Sequence, residues 1–287
     1  MNSPTSGGLW AKAMARTASA TSNGKLHRIP TRTEIIEQSG IDFVVRLVDN
    51  LERKRIARLM QPTEANPFLP YDEDLFVADV SDTHVCLLNR FNVVEHHLLI
   101  VTREFASQDS PLNAADFEAM WLCLAQFDSL VFYNSGTIAG ASQPHKHLQQ
   151  VSVPIGGGPE RTPMDTAIAH AQIGDRVGTV PVLPFRNGLA RTSDLTAVEP
   201  EAAAQPTVEL YHEMLEELDS HPPACSYNLL ATREWMLVVP RSQEKYGTIS
   251  VNSLGFAGSL LVRNEDELAL VRDIGPLEIL RQVAVPG

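Results

Sequence analysis

The spacing of apolar and polar residues divides the chain into short strands, a few helices and connections marked by glycine and proline. Ile41–Val48 is rich in β-branched residues and predicts a strand, and the helix formers of Asn50–Ala57 predict a helix directly after it. Phe76–Val80, His84–Asn89 and His97–Thr102 are short apolar runs bounded by turn residues, the pattern of buried strands in an antiparallel meander. Asn66-Pro-Phe-Leu-Pro-Tyr-Asp72 holds two prolines within four residues, which predicts a loop. Asn113 is placed to cap a helix whose apolar face runs through Phe117, Met120, Trp121, Leu124 and Phe127. Ser129–Tyr133 returns to strand, and His145–Val153 is a further strand after a small-residue turn.

From Gly156 to about Thr179 the pattern loosens, with three consecutive glycines followed by Pro159 and Pro163, and a flexible connection is expected. This divides the chain into an N-terminal part, residues 1–158, and a C-terminal part, residues 175–287. In the second part Thr207–Leu218 reads as an amphipathic helix, Tyr227–Ala231, Trp235–Val239 and Ser250–Asn252 as strands, and Asn264 as the cap of a C-terminal helix. Strands cluster with few helices between them, so an α+β fold built on an antiparallel sheet is expected.

Charge narrows the partners. The chain carries 23 basic and 35 acidic residues, a net charge of −12, so its field repels polyanions and no nucleic-acid partner is expected. An anionic substrate would need a local cationic site. No stretch approaches the ~18 uninterrupted apolar residues of a membrane helix, and no membrane partner is expected. Cys86, Cys123 and Cys225 are far apart, without a Cys-x-x-Cys, which suits a reducing cytoplasm. Residues 1–33 hold no acidic side chain but carry Lys12, Arg16, Lys25, Arg28 and Arg32. That composition is shared with transit peptides. The preferred reading is a helix starting near Leu9 and Trp10 that docks on the body and leaves its basic residues to the substrate.

The chemistry is concentrated in Asn134–Gln149. Alternate residues of a strand share a face, so His145, His147 and Gln149 point one way and Lys146 and Leu148 the other. Three readings fit. The polar face could satisfy itself at a sheet edge, or His-x-His could supply two metal ligands, although no Cys pair or HExxH helix accompanies it. In the third, His147 is a nucleophile at phosphorus. A neutral imidazole serves near pH 7 if an acceptor holds its other nitrogen. His145 and Gln149 would orient it and bond phosphoryl oxygens, and the amides of Gly140, Ala141, Ser142 and Gln143 would face phosphate. His96-His97 reads as a strand edge, not a metal site.

The stretch Asn134–Gln149, with its Pro-His-x-His-x-Gln, resembles the transferase branch of the histidine-triad superfamily. Asn66–Pro70, Leu87–Glu104 and Ser250–Arg263 are similar to the diadenosine tetraphosphate phosphorylases, or ATP adenylyltransferases, and the likeness runs over essentially the whole chain. The resemblance implies a sheet of histidine-triad type with flanking helices. It implies phosphorolysis of diadenosine tetraphosphate to ATP and ADP through an adenylyl-histidine intermediate, with reverse adenylyl transfer. Lys54 would contact phosphate, Asn89, Arg90 and Phe91 the nucleotide, Asn134 and the Gly140–Gln143 turn ribose and phosphate, and Gln149 the phosphoryl oxygens. Asn252, Ser253, Leu254, Ser259 and Arg263 would complete the site, Ser259 and Arg263 standing where relatives can carry Met and Lys. The Cys-x-x-Cys zinc site of many uridylyltransferases is missing. A divalent cation, Mg²⁺, with Lys54 and Arg263, is expected to neutralise the polyphosphate. The alternatives are a nucleotide-sugar uridylyltransferase and a non-catalytic dinucleotide sensor.

Overall fold

The computed structural model of the chain describes residues 8–48, 66–156 and 158–287. The helix expected after Val48, and Lys54 with it, lie outside the described residues. The N-terminal segment forms α1 (Gly8–Ser22), followed by β1 (His27–Arg28), β2 (Thr31–Gln38) and β3 (Ile41–Val48). The meander is β4 (Phe76–Asp79), β5 (His84–Leu88), β6 (Phe91–Asn92) and β7 (Leu98–Thr102), then α2 (Ala114–Leu124), β8 (Ser129–Asn134) and β9 (His147–Ser152). Beyond it come α3 (Asp165–Ala169), β10 (Gln172–Ile173), β11 (Val177–Thr179), β12 (Gly188–Arg191), α4 (Pro200–Glu217), β13 (Tyr227–Ala231) and β14 (Trp235–Pro240). The chain closes with β15 (Lys245–Tyr246), β16 (Ile249–Ser250), α5 (Ser253–Phe256), β17 (Ser259–Val262), α6 (Glu265–Ile274) and α7 (Pro276–Val283).

A ten-stranded sheet in the order β10-β11-β12-β14-β13-β8-β9-β7-β5-β4 runs through the molecule. Each neighbouring pair in it is antiparallel. Period-two alternation sorts its side chains onto two buried faces. Val131, Tyr133, Leu148, Leu229, Met236 and Val238 pack toward α1, α2 and α4. Leu130, Phe132, Val151, Leu230 and Leu237 pack on the opposite side, with Phe43 and Val45 of β3, Leu260 of β17 and Leu280 of α7. β17, β3 and β2 form a separate three-stranded sheet in that layer. The Trp121 indole N–H donates to Thr207 Oγ1 at 2.8 Å, tying α2 to α4.

The antiparallel α+β expectation is met, but the histidine-triad type is corrected. The sheet does not end beside the strand that carries His147. The far edge of β8 pairs with β13 from Ala231↔Val131 to Asn228↔Asn134, and the C-terminal half thereby extends the same sheet. Four local expectations are also corrected. The stretch after Gly156 is no loose connection, because Met164 and Ile168 are buried and the Asp165 carboxylate receives the Thr162 N–H at 2.8 Å. α4 starts at Pro200 and continues through Pro206; the bond lost at that proline is offset by burial of Ala203, Ala204 and Thr207. The strand expected over Ser250–Asn252 stops at Ser250, and Asn252 instead caps α5 by accepting the Leu254 N–H at 3.1 Å. β9 begins at His147, and His145 makes an isolated bridge to Ser107.

α1 docks as expected, burying Leu9, Ala13 and Ala20. Three basic residues beyond the helix meet carboxylates: Lys25 lies 3.0 Å from Asp72, Arg28 3.6 Å from Glu95 and Arg32 2.8 Å from Glu265. Asn113 caps α2, with its side chain and that of Asp116 each bonding the other's backbone N–H. Asp116 is itself buried, and its carboxylate holds the Lys146 ammonium at 3.0 Å and His84 Nε2 at 3.2 Å. This ion pair fastens the helix to the back of the strand segment between His145 and His147. Removing one partner of such a pair leaves an uncompensated buried charge. Lys146→Met is therefore expected to lose about 3–5 kcal/mol in urea unfolding. A loss well under 1 kcal/mol would show that His84 alone balances the carboxylate.

Candidate active site

His147 and Gln149 project from β9 onto the sheet face bounded by Phe68, Val85, Leu87, Leu99 and Val101 on one side and the C-terminal layer on the other. The His147 ring is 4% exposed. Its Nδ1–H donates to the carbonyl of His145 at 2.8 Å, which leaves Nε2 with its lone pair and no protein partner among the described residues. Burial, reinforced by the nearby His145 ring, pulls the His147 pKa down to about 4 although the carbonyl bond opposes the shift. The imidazole is therefore neutral near pH 7.

His145 contributes through its backbone. Its ring is closed at both ends: Nδ1 takes a hydrogen bond from Asn66 Nδ2 at 2.9 Å, and Nε2 donates to the Thr102 carbonyl at 2.9 Å. Phe68 packs edge-on against it, with ring centroids 5.5 Å apart, and Phe68 also leans on His147. The Asn66–Pro70 loop thus holds the residue whose carbonyl fixes the His147 tautomer. Gln149 is half-buried and faces His97, which is buried just ahead of β7. The Asn89 side-chain amide lies 3.4 Å from His97 Nδ1, while His97 Nε2 has no hydrogen-bond partner. Burial lowers the His97 pKa to about 4, so this ring too is neutral, and Gln149 is the group that favours its protonation.

Asn134, at the end of β8, is 1% exposed. Its Oδ1 accepts from Asn228 Nδ2 at 2.9 Å, from Ser253 N at 2.9 Å and from Ser253 Oγ at 2.7 Å, leaving Nδ2 as its unengaged end. Arg241 underlies this cluster. Its guanidinium is buried and donates to Asn228 Oδ1 at 2.6 Å, Val251 O at 2.9 Å and Val283 O at 3.0 Å, with Phe256 beneath it at 5.4 Å. Burial pulls its pKa down to about 9, still well above neutrality. One cation thereby joins the end of β13, the chain before α5 and the C-terminal helix.

The turn after β8 comes close to that network. Gly140 adopts φ +90°, and a Cβ there would stand 2.8 Å from Val251 O and 3.1 Å from Asn252 Cα, so both conformation and space require glycine. Within the turn the Gly140 N–H donates to Thr137 O at 2.9 Å and the Ala141 N–H to Gly136 O at 3.0 Å. Among the described residues the amides of Ser142 and Gln143 have no such partner. A cleft of about 360 Å³, lined by Thr137, Ile138, Gly140, Ser142, Glu244 and Ser250, opens beside them.

The remaining expected residues are dispersed. Asn89 belongs to the His97 contact, Phe91 stacks on His27 at 5.4 Å, and Arg90 lies 3.0 Å from the Asp72 carboxylate. Ser253 joins Asn134 directly, and Leu254 and Asn252 follow it at the α5 cap. Ser259 is buried in β17 opposite Val44, and Arg263 is held by Glu267 at 2.9 Å and by the Thr248 carbonyl. Neither bonds the Asn134 cluster. Sequence reasoning missed Asn66, Thr102, Gln108, Asn228 and Arg241, and read His97 as a strand edge. Asn66 stands in the proline-marked loop and Arg241 directly after an apolar strand, but their partners are distant in sequence, so no local signal marks them.

A family model described as the Ap4A phosphorylase N-terminal domain matches residues 2–170, and one described as the ATP adenylyltransferase C-terminal domain matches residues 181–286. From Saccharomyces cerevisiae, diadenosine 5',5'''-P1,P4-tetraphosphate phosphorylase 2 is 31% identical over 260 residues, covering 80% of this chain and 79% of that protein. Protein APA1 of the same organism is 27% identical over 306 residues, 94% of this chain and 92% of that one. The crystal structure of yeast Ap4A phosphorylase Apa2 in complex with AMP superposes with a TM-score of 0.79 at 26% identity, covering 97% of this chain and 98% of that one. This whole-chain match, and not a histidine-triad sheet, describes the fold. With both family models and a curated relative agreeing over most of its length, the chain belongs to the Ap4A phosphorylase (ATP adenylyltransferase) family.

Proposed function

We propose that the protein phosphorolyses diadenosine tetraphosphate to ATP and ADP through an adenylyl-histidine intermediate on His147, and runs the reverse adenylyl transfer. The observation that carries this reading is the 2.8 Å bond from His147 Nδ1–H to His145 O, which leaves an unprotonated Nε2 without a protein partner among the described residues. Nε2 attacks one α-phosphorus, the bond to the bridging oxygen breaks, and ATP departs with that oxygen. The imidazole ring, now bonded to phosphorus, carries a positive charge that the His145 carbonyl stabilises. An oxygen of inorganic phosphate then attacks the same phosphorus, the N–P bond breaks, its electron pair returns to Nε2, and ADP leaves.

In this reading the phosphoryl oxygens are met mainly by neutral donors: Gln149, the free end of Asn134 and the open amides of Ser142 and Gln143. Ser253 holds Asn134 and Asn252 lies against the turn at Gly140, while Asn89 reaches the Gln149 side through His97. Arg90 and Arg263 are already held by carboxylates, so cationic help falls to Lys54 and to Mg²⁺. Among the described residues no group of three or more His, Cys, Asp or Glu could hold a metal ion. In this reading the cation enters with the substrate, on polyphosphate oxygens. No helix among the described residues is long and apolar enough to cross a membrane. The three cysteines are free, and the cytoplasm is the compartment proposed.

Radiolabelled diadenosine tetraphosphate supplied without phosphate should release ATP and leave label on the protein. His147→Asn should abolish the adduct and lower kcat at least ~10³-fold; persistent label in that variant would exclude His147 as the nucleophile. Gln149→Ala should lower kcat by roughly 10²-fold with little change in KM, the scale of one lost oxyanion donor. A change confined to KM would make Gln149 a ground-state clamp.

The rate of adduct formation should stay level from pH 8 to about pH 5 and fall only toward the His147 pKa of about 4. A midpoint near the ordinary histidine value of about 6.5 would show a solvated ring. Stability follows the same sign. A lowered histidine pKa means that the unfolded chain binds the proton more tightly, so the contribution is complete above about pH 6.5 and is lost as pH falls toward 4.

A further inference from the structure

We infer that Gln108 is a positioning residue for the nucleophile: its side-chain amide wedges β8 and β9 apart at Asn134 and His147 and sets the place of His147 in the sheet. The inference rests on the reading of His147 as the attacking group. β8 and β9 pair from Ser129↔Ser152 to Phe132↔Gln149, a register that would next bring Asn134 opposite His147. The ladder stops short of that pair. On the β7 side the neighbouring Lys146 carbonyl accepts the Thr102 N–H at 3.3 Å, so the N–H and C=O of His147 are turned toward β8, where no strand partner meets them.

Gln108 meets them. Its Oε1 accepts the His147 N–H at 2.8 Å, and its Nε2 donates to Asn134 O at 2.8 Å and to His147 O at 3.2 Å. The split strands present one donor and two acceptors, and a glutamine amide offers one acceptor atom and two N–H donors. Glutamate could only accept, methionine would leave all three groups unsatisfied, and asparagine is one carbon too short. The residue is 2% exposed, and its own backbone is seated by Gln108 N donating to Pro144 O at 2.8 Å and by Tyr133 Oη donating to Gln108 O at 2.5 Å. The wedge therefore sets the separation between two groups that address the phosphoryl centre, and does so with a side chain that carries no charge and does not titrate.

The test compares wild type with Gln108→Met, close in size but without hydrogen-bonding ends, and with Tyr133→Phe, which loosens the seat of Gln108 and leaves the amide in place. Adduct formation on His147 is timed without phosphate, AMP affinity is measured in parallel, and thermal unfolding records the structural cost. The expected result is adduct formation slowed at least tenfold in Gln108→Met and about threefold in Tyr133→Phe, with AMP affinity within twofold of wild type. The amide proton of His147 should also exchange faster in both. A folded Gln108→Met with a lowered Tm but a wild-type adduct rate would overturn the inference, as would a loss of AMP affinity with the rate intact. Should Gln108→Met fail to fold, an unchanged rate in Tyr133→Phe would overturn it. Adduct formation in a His147→Asn control would defeat the nucleophile reading instead, separating the two failures.

Discussion

One hydrogen bond, from His147 Nδ1–H to the carbonyl two residues earlier, decides what this active site can do. Net, such a bond contributes only about 1 kcal/mol to stability, yet it selects which ring nitrogen keeps its lone pair. The bond survives only if residues 145–147 hold their backbone course, and the surrounding structure is spent on that. Asn66 and Thr102 lock the His145 ring, Lys146 is anchored to Asp116 behind the sheet, and Gln108 takes the backbone of His147. Each clamp comes from a different segment, so the His147 ring is fixed by the whole N-terminal half and not by its own strand alone.

The C-terminal half does the same for the other side of the site. Asn134 has its carbonyl end saturated by Asn228 and Ser253, and Arg241 bonds Asn228 and the chain just before α5 at once. A buried guanidinium is costly unless its donors are paired, and here the partners are backbone carbonyls and an amide oxygen. The charge is thereby turned into a fastening between segments. Glycine at position 140 lets the turn lie against Asn252, which brings the Ser142 and Gln143 amides to the same end of the sheet as the cleft. For a protein of net charge −12, the neutral phosphate donors of the proposed mechanism would have a further consequence: recognition would depend on geometry, which salt screens less than a cationic patch.

The parts legible in the sequence were those whose chemistry is contiguous. His147, Gln149 and Asn134 lie within one stretch, and strand alternation alone assigns the first two to a common face with Lys146 and Leu148 opposite. The capping box of α2 and the strand Tyr227–Ala231 were also written locally. What escaped depends on partners far away in the chain. Arg241 looks like an ordinary residue after a strand until Val251, Val283 and Asn228 converge on it, and Gln108 sits in a loop with no periodicity to mark it. His97 beside His96 reads as an edge, but burial between Asn89 and Gln149 makes it part of the site's floor. The sheet type was misjudged for a related reason: the pairing of β8 with β13 is a contact between the two halves, invisible to any local pattern.

In the proposed mechanism phosphorus passes through a covalent bond to His147 and not directly from one oxygen to another. Each in-line displacement inverts phosphorus, so two in succession restore its configuration. The most direct measurement uses diadenosine tetraphosphate made chiral at the α-phosphorus by isotopic substitution, with the configuration of the ADP product read out after phosphorolysis. The account predicts net retention. Net inversion would mean that phosphate attacks the substrate directly and that His147, however well its tautomer is held, does not become bonded to phosphorus.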